Sequence, residues 1–245
     1  MLEQPIDKPS TVIADSPRRR FSVHVAWTLA ARVLMTANSV IAGILVARWL
    51  GAEGLGQLAV INVAVATAVQ LGSAGLPSAN TYFIAQDRRR LAPVWANALF
   101  FGLAAGLLLA AALSLLDAAR PALFGSVPLQ LILIAALSVP FQLVTLLGLN
   151  VLLGIERIAR FNMLDTLSQS FVLINAVLVL IFLGAGLRAL VTFNAAASIL
   201  VCAVIVWTIG RAIHEQKNAR AFKADAGLFK RTARYGLKFH VSIIA

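Results

Sequence analysis

The 245-residue chain is poor in the residues on which most enzyme and metal sites depend. It has one cysteine, three histidines and ten acidic residues, and charged residues make up only 13% of the sequence. Because Cys202 is alone, a disulfide framework or a cysteine-based zinc site cannot form within one chain. His24, His214 and His240 are isolated from one another, and the acids fall at the ends of apolar runs or between them. We therefore expect no catalytic residues, no metal site and no cofactor.

Apolar residues are what the chain has in excess. They make up 60% of the sequence, and the mean hydropathy of +0.87 lies far outside the range of a soluble domain. The composition therefore indicates an all-α polytopic membrane protein. The formal charge of +11 would also suit a nucleic-acid-binding protein, so the positions of the positive residues must decide between the two.

Six apolar runs are long enough to cross the hydrocarbon layer, which is about 30 Å thick and takes about 20 helical residues. Pro77 and Pro140 should kink or divide the second and fourth runs. We divide the chain into a polar tail at 1–21, a six-span lobe at 22–210, a basic interfacial linker at 211–234 and the start of a seventh span at 235–245, which is too short to cross. The six predicted spans are 23–46, 58–85, 94–116, 129–153, 162–183 and 189–209.

The first run contains one ionised side chain, Arg32, near its middle. A charge at that depth is costly and normally faces protein or a water-filled cavity. Thr28, Arg32, Thr36 and Ser39 share one helix face, with Asn38 at its edge, so we predict a polar stripe that lines a cavity. Snorkelling of Arg32 to the headgroups, or a structural ion pair, remains the alternative. A cleaved signal peptide is less compatible with so long a run.

Polar and small residues give two later runs a distinct face. Asn62 and Gln70 lie on one side of the second run, which suits packing or contact with water, and we assign both to the predicted substrate-binding cavity. The third run contains Gly102 and Gly106, a spacing that predicts close helix packing and no chemistry. Asp165 falls near the start of the fifth run.

The positive residues fall mainly in alternate loops. If the loops are assigned in turn to the two sides, one side receives 17 of the 21 lysines and arginines, and the other receives only Arg48, Arg120 and Arg188. Arg32 is the remaining one. The positive-inside rule then predicts a cytoplasmic N-terminus and a cytoplasmic linker at 211–234, with Arg48 outside. Topology and attraction to anionic lipids account for the net charge, so no nucleic-acid partner is needed.

Four short motifs point to a family. The turn Ala47-Arg48-Trp49-Leu50-Gly51-Ala52-Glu53-Gly54-Leu55-Gly56-Gln57 resembles the Arg-x-Leu-Gly-x-Glu-x-x-Gly turn after the first span of polysaccharide exporters and O-antigen-type flippases. These belong to the multidrug/oligosaccharidyl-lipid/polysaccharide exporter (MOP) superfamily. Three further stretches are similar to later family motifs in the expected order: Gly72-Ser73-Ala74-Gly75-Leu76-Pro77, Leu153-Gly154-Ile155-Glu156-Arg157 and Tyr235-Gly236-Leu237-Lys238-Phe239.

The resemblance implies a transporter of two lobes, with twelve or fourteen spans, of which this chain holds the first lobe and the start of the second. It implies a flippase of the bacterial inner membrane that moves an undecaprenyl-pyrophosphate-linked oligosaccharide to the outer leaflet. Expected partners are this lipid-linked substrate, membrane lipids, and the polysaccharide polymerase and chain-length machinery. Arg32 is the expected contact for phosphate or sugar-acid oxygens, and Arg48 with Glu53 forms a second candidate group at the external turn.

Other functions stay open from the sequence. A membrane glycosyltransferase or polymerase would need converging carboxylates or histidines, which the sequence does not show. A drug or cation exporter of the same superfamily would typically have a carboxylate within the membrane in its first lobe, where this chain has an arginine. A nonfunctional remnant, or a half-transporter that works as a homodimer, would also fit the length. Arg48 itself has a structural alternative, which is pairing with Glu53 or with the last carbonyls of its helix.

Overall fold

The computed structural model describes the backbone of residues 17–216 and 222–244, and the side chains of residues 28–216 and 222–238. Most of the predicted tail at 1–21, together with His24 and His240 as side chains, therefore lies outside the described residues. Helices dominate the described part, linked by short turns, with 3-10 turns at Arg88–Arg90 and Pro121–Leu123 and a π-helical segment at Val177–Phe182. The α-helices are α1 Pro17–Ser73, α2 Leu76–Gln86, α3 Leu91–Ala119, α4 Leu129–Ala136, α5 Val139–Gly154, α6 Ile158–Ala176, α7 Leu187–His214 and α8 Ala226–Ile244.

Helix α1 contains the first predicted span and the first part of the second, separated by a single non-helical residue. Gly51 has φ 69° and ψ −175°, a conformation that a side chain would disfavour. Ser39 and Gln70 lie on either side of Gly51 and line the same cavity, although a straight helix would place them about 46 Å apart. The chain therefore turns back at Gly51, and the predicted loop after the first span is reduced to this one residue. We call residues 17–50 the first arm of α1 and residues 52–73 its second arm.

Two further helix breaks lie beside the prolines that predicted them. Ala74 and Gly75 both have positive φ values, and α2 begins immediately afterwards with Pro77 in its first turn. Likewise α4 ends before Ser138, and Pro140 lies in the first turn of α5. Proline tolerates the first helical turn because the N–H that it lacks would have no partner there. Both predicted interruptions are confirmed, each a few residues before the proline.

Five helical segments of the described chain are long and apolar enough to cross a membrane, and the first of them contains both arms of α1. The other four cover the third to the sixth predicted spans. The all-α, multi-pass architecture predicted from composition is therefore confirmed.

Two apolar clusters hold the helices together. One surrounds Trp95 of α3, which is 1% exposed, and includes side chains of α2, α5 and α7. The other joins both arms of α1 to α4, α7 and the π-helical segment. The close approach predicted for the third span is confirmed, because a side chain on Gly102 or Gly106 would overlap Val144 or Pro140 of α5.

Helix α8 packs on the lobe through its apolar side. Its buried Leu228 belongs to the cluster around Trp95, the Phe229 ring lies 5.6 Å from Phe101, and Tyr235 stacks on Tyr82 of α2 at 4.8 Å. Asn97 of α3 donates a hydrogen bond to the Asp225 carbonyl at 2.9 Å, and its own carbonyl accepts one from the Asp225 amide at 3.0 Å. The helix continues through residues 234 and 235, so the predicted division between linker and seventh span has no helix break.

Candidate functional site

A cavity of about 640 Å³ opens between both arms of α1 and helices α5, α6 and α7. Apolar side chains such as Val46, Leu58 and Val201 supply part of its wall. The rest of the wall is polar, which is unusual inside an apolar lobe and marks a place suited to water or a polar ligand. The polar residues that line the cavity are Ser39, Asn62, Gln70, Gln142, Thr145, Asp165, Ser168, Gln169, Asn175, Asn194 and Ser198.

Polar side chains also join the first arm of α1 to α6. Asn162 donates a hydrogen bond to the Thr28 hydroxyl at 3.1 Å. Further along both helices, Asn38 donates to the Ser170 hydroxyl at 2.9 Å. Both residue numbers increase together, so the two helices run parallel. We call this row of contacts the polar seam.

Arg32 and Asp165 lie between the two hydrogen bonds of the polar seam. Each follows the first contact by about one helical turn, because Arg32 is four residues after Thr28 and Asp165 is three residues after Asn162. The Arg32 guanidinium acts electrostatically on the Asp165 carboxyl. Asp165 lines the cavity and is half-buried, whereas Arg32 is exposed in this lobe and is not among the lining residues. The seam therefore places opposite charges at similar heights on two parallel helices, although the ion pairs of the described residues do not include one between Arg32 and Asp165.

Asp165 corrects one feature of the sequence interpretation. The sequence placed all acids at span ends or in loops and Asp165 near the start of a span at 162. Helix α6 begins earlier, at Ile158, so Asp165 lies two turns inside it and reaches the cavity. The sequence does contain a polar row of Asn162, Asp165 and Gln169 on the fifth run. Only the folded structure shows that this row lies against the polar stripe of the first run.

The structure separates the predicted stripe into three environments. Ser39 lines the cavity together with Asn62 and Gln70 from the second run. Thr28 and Asn38 make the hydrogen bonds of the polar seam. The two remaining members, Arg32 and Thr36, are exposed and are not among the lining residues, and the Thr36 hydroxyl donates to the Arg32 carbonyl of its own helix at 3.0 Å. Sequence reasoning did not include Gln142, Asn175 and Asn194 in the site, although they line the cavity and Asn175 donates to Asn194 at 2.8 Å.

The turn around Gly51 has polar contacts of its own. Arg48 and Glu53 are both exposed. Glu53 accepts a hydrogen bond from Gln57 at 3.2 Å, and Gln57 also donates to the Ser126 carbonyl at 3.2 Å. Within the described residues, the ion pairs do not include one between Arg48 and Glu53. The turn is thus tied to the loop before α4 through Gln57.

A protein-family model matches nearly the whole chain. The model for polysaccharide biosynthesis proteins covers residues 23–245. The chain belongs to this family. No curated protein matches the sequence.

Solved structures show which fold the family member adopts. A MOP-superfamily transporter from Pyrococcus furiosus, described as having a binding pocket of reverse polarity, matches with a TM-score of 0.67 and 15% identity over 96% of this chain and 55% of that one. A MATE in complex with MaD3S matches with a TM-score of 0.65 and 15% identity over 89% of this chain and 51% of that one. An outward-facing multidrug resistance MATE transporter of the MOP superfamily matches with a TM-score of 0.62 and 13% identity over 97% of this chain and 57% of that one. The chain has the fold of the N-terminal half of a MOP-superfamily transporter and spans about half the length of these structures.

Proposed function

We propose that this lobe forms half of a transporter that moves an undecaprenyl-pyrophosphate-linked oligosaccharide from the cytoplasmic to the outer leaflet of a bacterial inner membrane. The observation that carries the proposal is the polar cavity beside the seam that holds Arg32 and Asp165, inside a lobe of the polysaccharide biosynthesis family. Its product would be used by a polysaccharide polymerase and chain-length machinery.

The cavity wall suits the glycan part of such a substrate. Amide and hydroxyl side chains both donate and accept hydrogen bonds, as sugar hydroxyls do. Asn62 and Gln70 line the cavity from the second arm of α1, whereas Gln142 lines it from α5 and Asn194 from α7, so a glycan would be held from several sides. The apolar residues between them supply contact surface of the kind that ligand pockets use.

Arg32 supplies the contact for the phosphates. A guanidinium binds phosphate oxygens through two parallel hydrogen bonds, which makes arginine well suited to this group. In this lobe Asp165 is the charged group closest in register to Arg32 along the seam, so it acts as the resident counter-ion until a phosphate takes its place. Transport by alternating access would need a second lobe on the open side of the cavity, supplied by further chain or by a second copy.

A drug or cation exporter is the second candidate, and Asp165 is the observation that favours it. Among the described residues that line the cavity, Asp165 is the only one with an ionisable acid or base. An organic cation would bind this carboxylate and would be repelled by Arg32. The two candidates therefore predict opposite effects for the same pair of substitutions.

Complementation tests the proposal. Residues 1–245, and separately the complete natural reading frame that holds them, would be expressed in a strain that lacks its polysaccharide flippase, and surface glycan would be measured. Rescue by the complete frame alone identifies the chain as one half of a transporter. Rescue by residues 1–245 shows that the lobe works as a homodimer.

Arg32→Ala, with Arg120→Ala as the matched control, links the result to the cavity. Loss of rescue is expected only for Arg32→Ala, because Arg32 lies in the polar seam beside the cavity, whereas Arg120 lies at the end of α3, away from both the seam and the cavity. Failure of both chains to rescue, with stable expression in the membrane, would contradict the flippase proposal.

A further inference from the structure

Three arginines surround one carboxylate where α6 begins and α7 ends. Arg157 donates to Glu215 with an N–O distance of 2.6 Å. Arg160 and Arg211 also act electrostatically on the Glu215 carboxylate. We call Arg157, Arg160, Arg211 and Glu215 the boundary cluster. None of its members lines the cavity, so it is separate from the proposed transport site.

The boundary cluster has an excess of positive charge. Glu215 supplies one negative charge against three guanidinium groups. The neighbouring acid, Glu156, is already paired with Arg88 at 2.5 Å. Arg157 uses Nη2 for its ion pair, whereas its Nη1 is buried and has no hydrogen-bond partner in the described part of the structure. Unpaired guanidinium donors of this kind are costly unless an anion is present.

Trp207 indicates the depth of the boundary cluster in the membrane. It lies one turn before Arg211, and its side chain is 61% exposed. The Arg211 guanidinium lies over the Trp207 ring at 5.1 Å from its centre, a cation–π arrangement. Tryptophan is enriched at the level of lipid headgroups, and the apolar helix that carries Trp207 ends at His214. The arginines are therefore at headgroup depth, beside an aromatic ring that faces outward.

We propose that the boundary cluster is a binding site for the phosphate of an anionic membrane lipid. Basic pockets between membrane-spanning helices bind such headgroups, and the arginine fork fits phosphate oxygens. Glu215 occupies the site as a counter-ion and competes with the lipid phosphate. The lipid chains would lie along the exposed face of Trp207. This inference does not depend on the proposed transport function, because an ordinary phospholipid would satisfy it.

Native mass spectrometry of the purified 245-residue chain tests the site. The chain in detergent would be titrated with phosphatidylglycerol, with undecaprenyl pyrophosphate and with phosphatidylcholine, a zwitterionic lipid of no net charge, as the comparison. Preferential binding of either anionic lipid over phosphatidylcholine is expected, and the tighter of the two identifies the source of the phosphate. Equal binding of all three lipids would overturn the proposal.

Two exposed arginines allow a test that leaves the Arg157–Glu215 pair in place. Arg160→Gln and Arg211→Gln should each weaken anionic-lipid binding roughly fivefold, the effect of removing one cation from a charged lipid surface. Arg188→Gln, an exposed arginine at the opposite end of α7, is the matched control and should leave binding unchanged. An equal loss in Arg188→Gln would show nonspecific attraction and would overturn the site.

Glu215→Gln should change anionic-lipid binding in the direction opposite to the two arginine substitutions. If Glu215 competes with the lipid phosphate, its neutralisation should raise anionic-lipid binding several-fold, even though the ion pair with Arg157 is lost. If the boundary cluster only ties α6 to α7, the same change would lower binding or leave it unchanged. Either of those results would overturn the proposal.

Discussion

The region around Trp95 and the region around the cavity are built from the same apolar helices but differ in how those helices meet. Around Trp95, side chains such as Leu143, Leu147 and Ile205 are fully buried, and Gly148 of α5 allows Ile205 to approach closely. Around the cavity, the first arm of α1 meets α6 through amide and hydroxyl groups. In the first region the helices pack closely through apolar side chains, whereas in the second hydrogen-bonding groups remain accessible to a ligand.

This difference predicts where substitutions should damage stability and where they should damage function. Interiors at native packing density do not accept added atoms without strain. A polar wall that faces open space accepts a change in size but not a change in charge or hydrogen bonding. Substitutions of matched chemistry in the two regions therefore test whether the regions differ in this way.

The largest effect on stability is expected for Gly106→Ala. An added Cβ would overlap the Cα and Cβ of Pro140, and overpacking of this kind costs about 1–3 kcal/mol or more of unfolding free energy. The matched control is Gly43→Ala in the first arm of α1, where a Cβ meets nothing within 4 Å. Thermal unfolding in detergent should show a clear loss for Gly106→Ala and none for Gly43→Ala. Equal melting of the two variants would remove the distinction between the regions.

An intermediate effect is expected for Asn97→Ala. The substitution leaves the Asp225 amide and carbonyl without their hydrogen bonds to Asn97, at a cost of about 1–3 kcal/mol, and the residue just before α8 is no longer hydrogen-bonded to α3. Asn150→Ala is the control, since the Asn150 amide donates only to the Leu146 carbonyl of its own helix. Proteolysis of the chain between α7 and α8 should speed up in Asn97→Ala alone. Equal cleavage rates would show that Asn97 does not hold α8 in place.

The smallest effect concerns the exposed Glu215. The hydrogen bond and charge of Arg157 hold the pKa of Glu215 below its ordinary value. A lowered pKa in the folded state stabilises the fold above the ordinary glutamate pKa, and this contribution disappears as the pH falls through the lowered pKa. Wild type should melt slightly above Glu215→Gln at neutral pH, and the two should converge in acid. A difference in melting temperature that persists in strong acid would show that the stabilisation does not come from the Arg157–Glu215 ion pair.

The sequence predicted the membrane class, the spans and the breaks near Pro77 and Pro140 because each depends on local hydropathy or on the missing proline N–H. It did not predict that Gly51 alone separates the first two spans, since a φ value is not visible in composition. Ser39, Asn62 and Gln70 were placed in the cavity from helix faces within one run. The sequence did not place Asp165, Gln142 and Asn194 in the cavity, because whether they line it depends on which helices become neighbours.

Binding of two probes of opposite charge would show whether the cavity serves an anionic or a cationic substrate. A polyprenyl-pyrophosphate-linked sugar and an organic cation would be titrated into the complete natural reading frame as wild type, Arg32→Ala and Asp165→Asn. If the cavity serves an anionic lipid-linked substrate, Arg32→Ala should lose binding of the lipid-linked sugar, and Asp165→Asn should keep or increase it. Unchanged lipid-linked sugar binding in Arg32→Ala, together with loss of cation binding in Asp165→Asn, would contradict the account and identify a cation exporter.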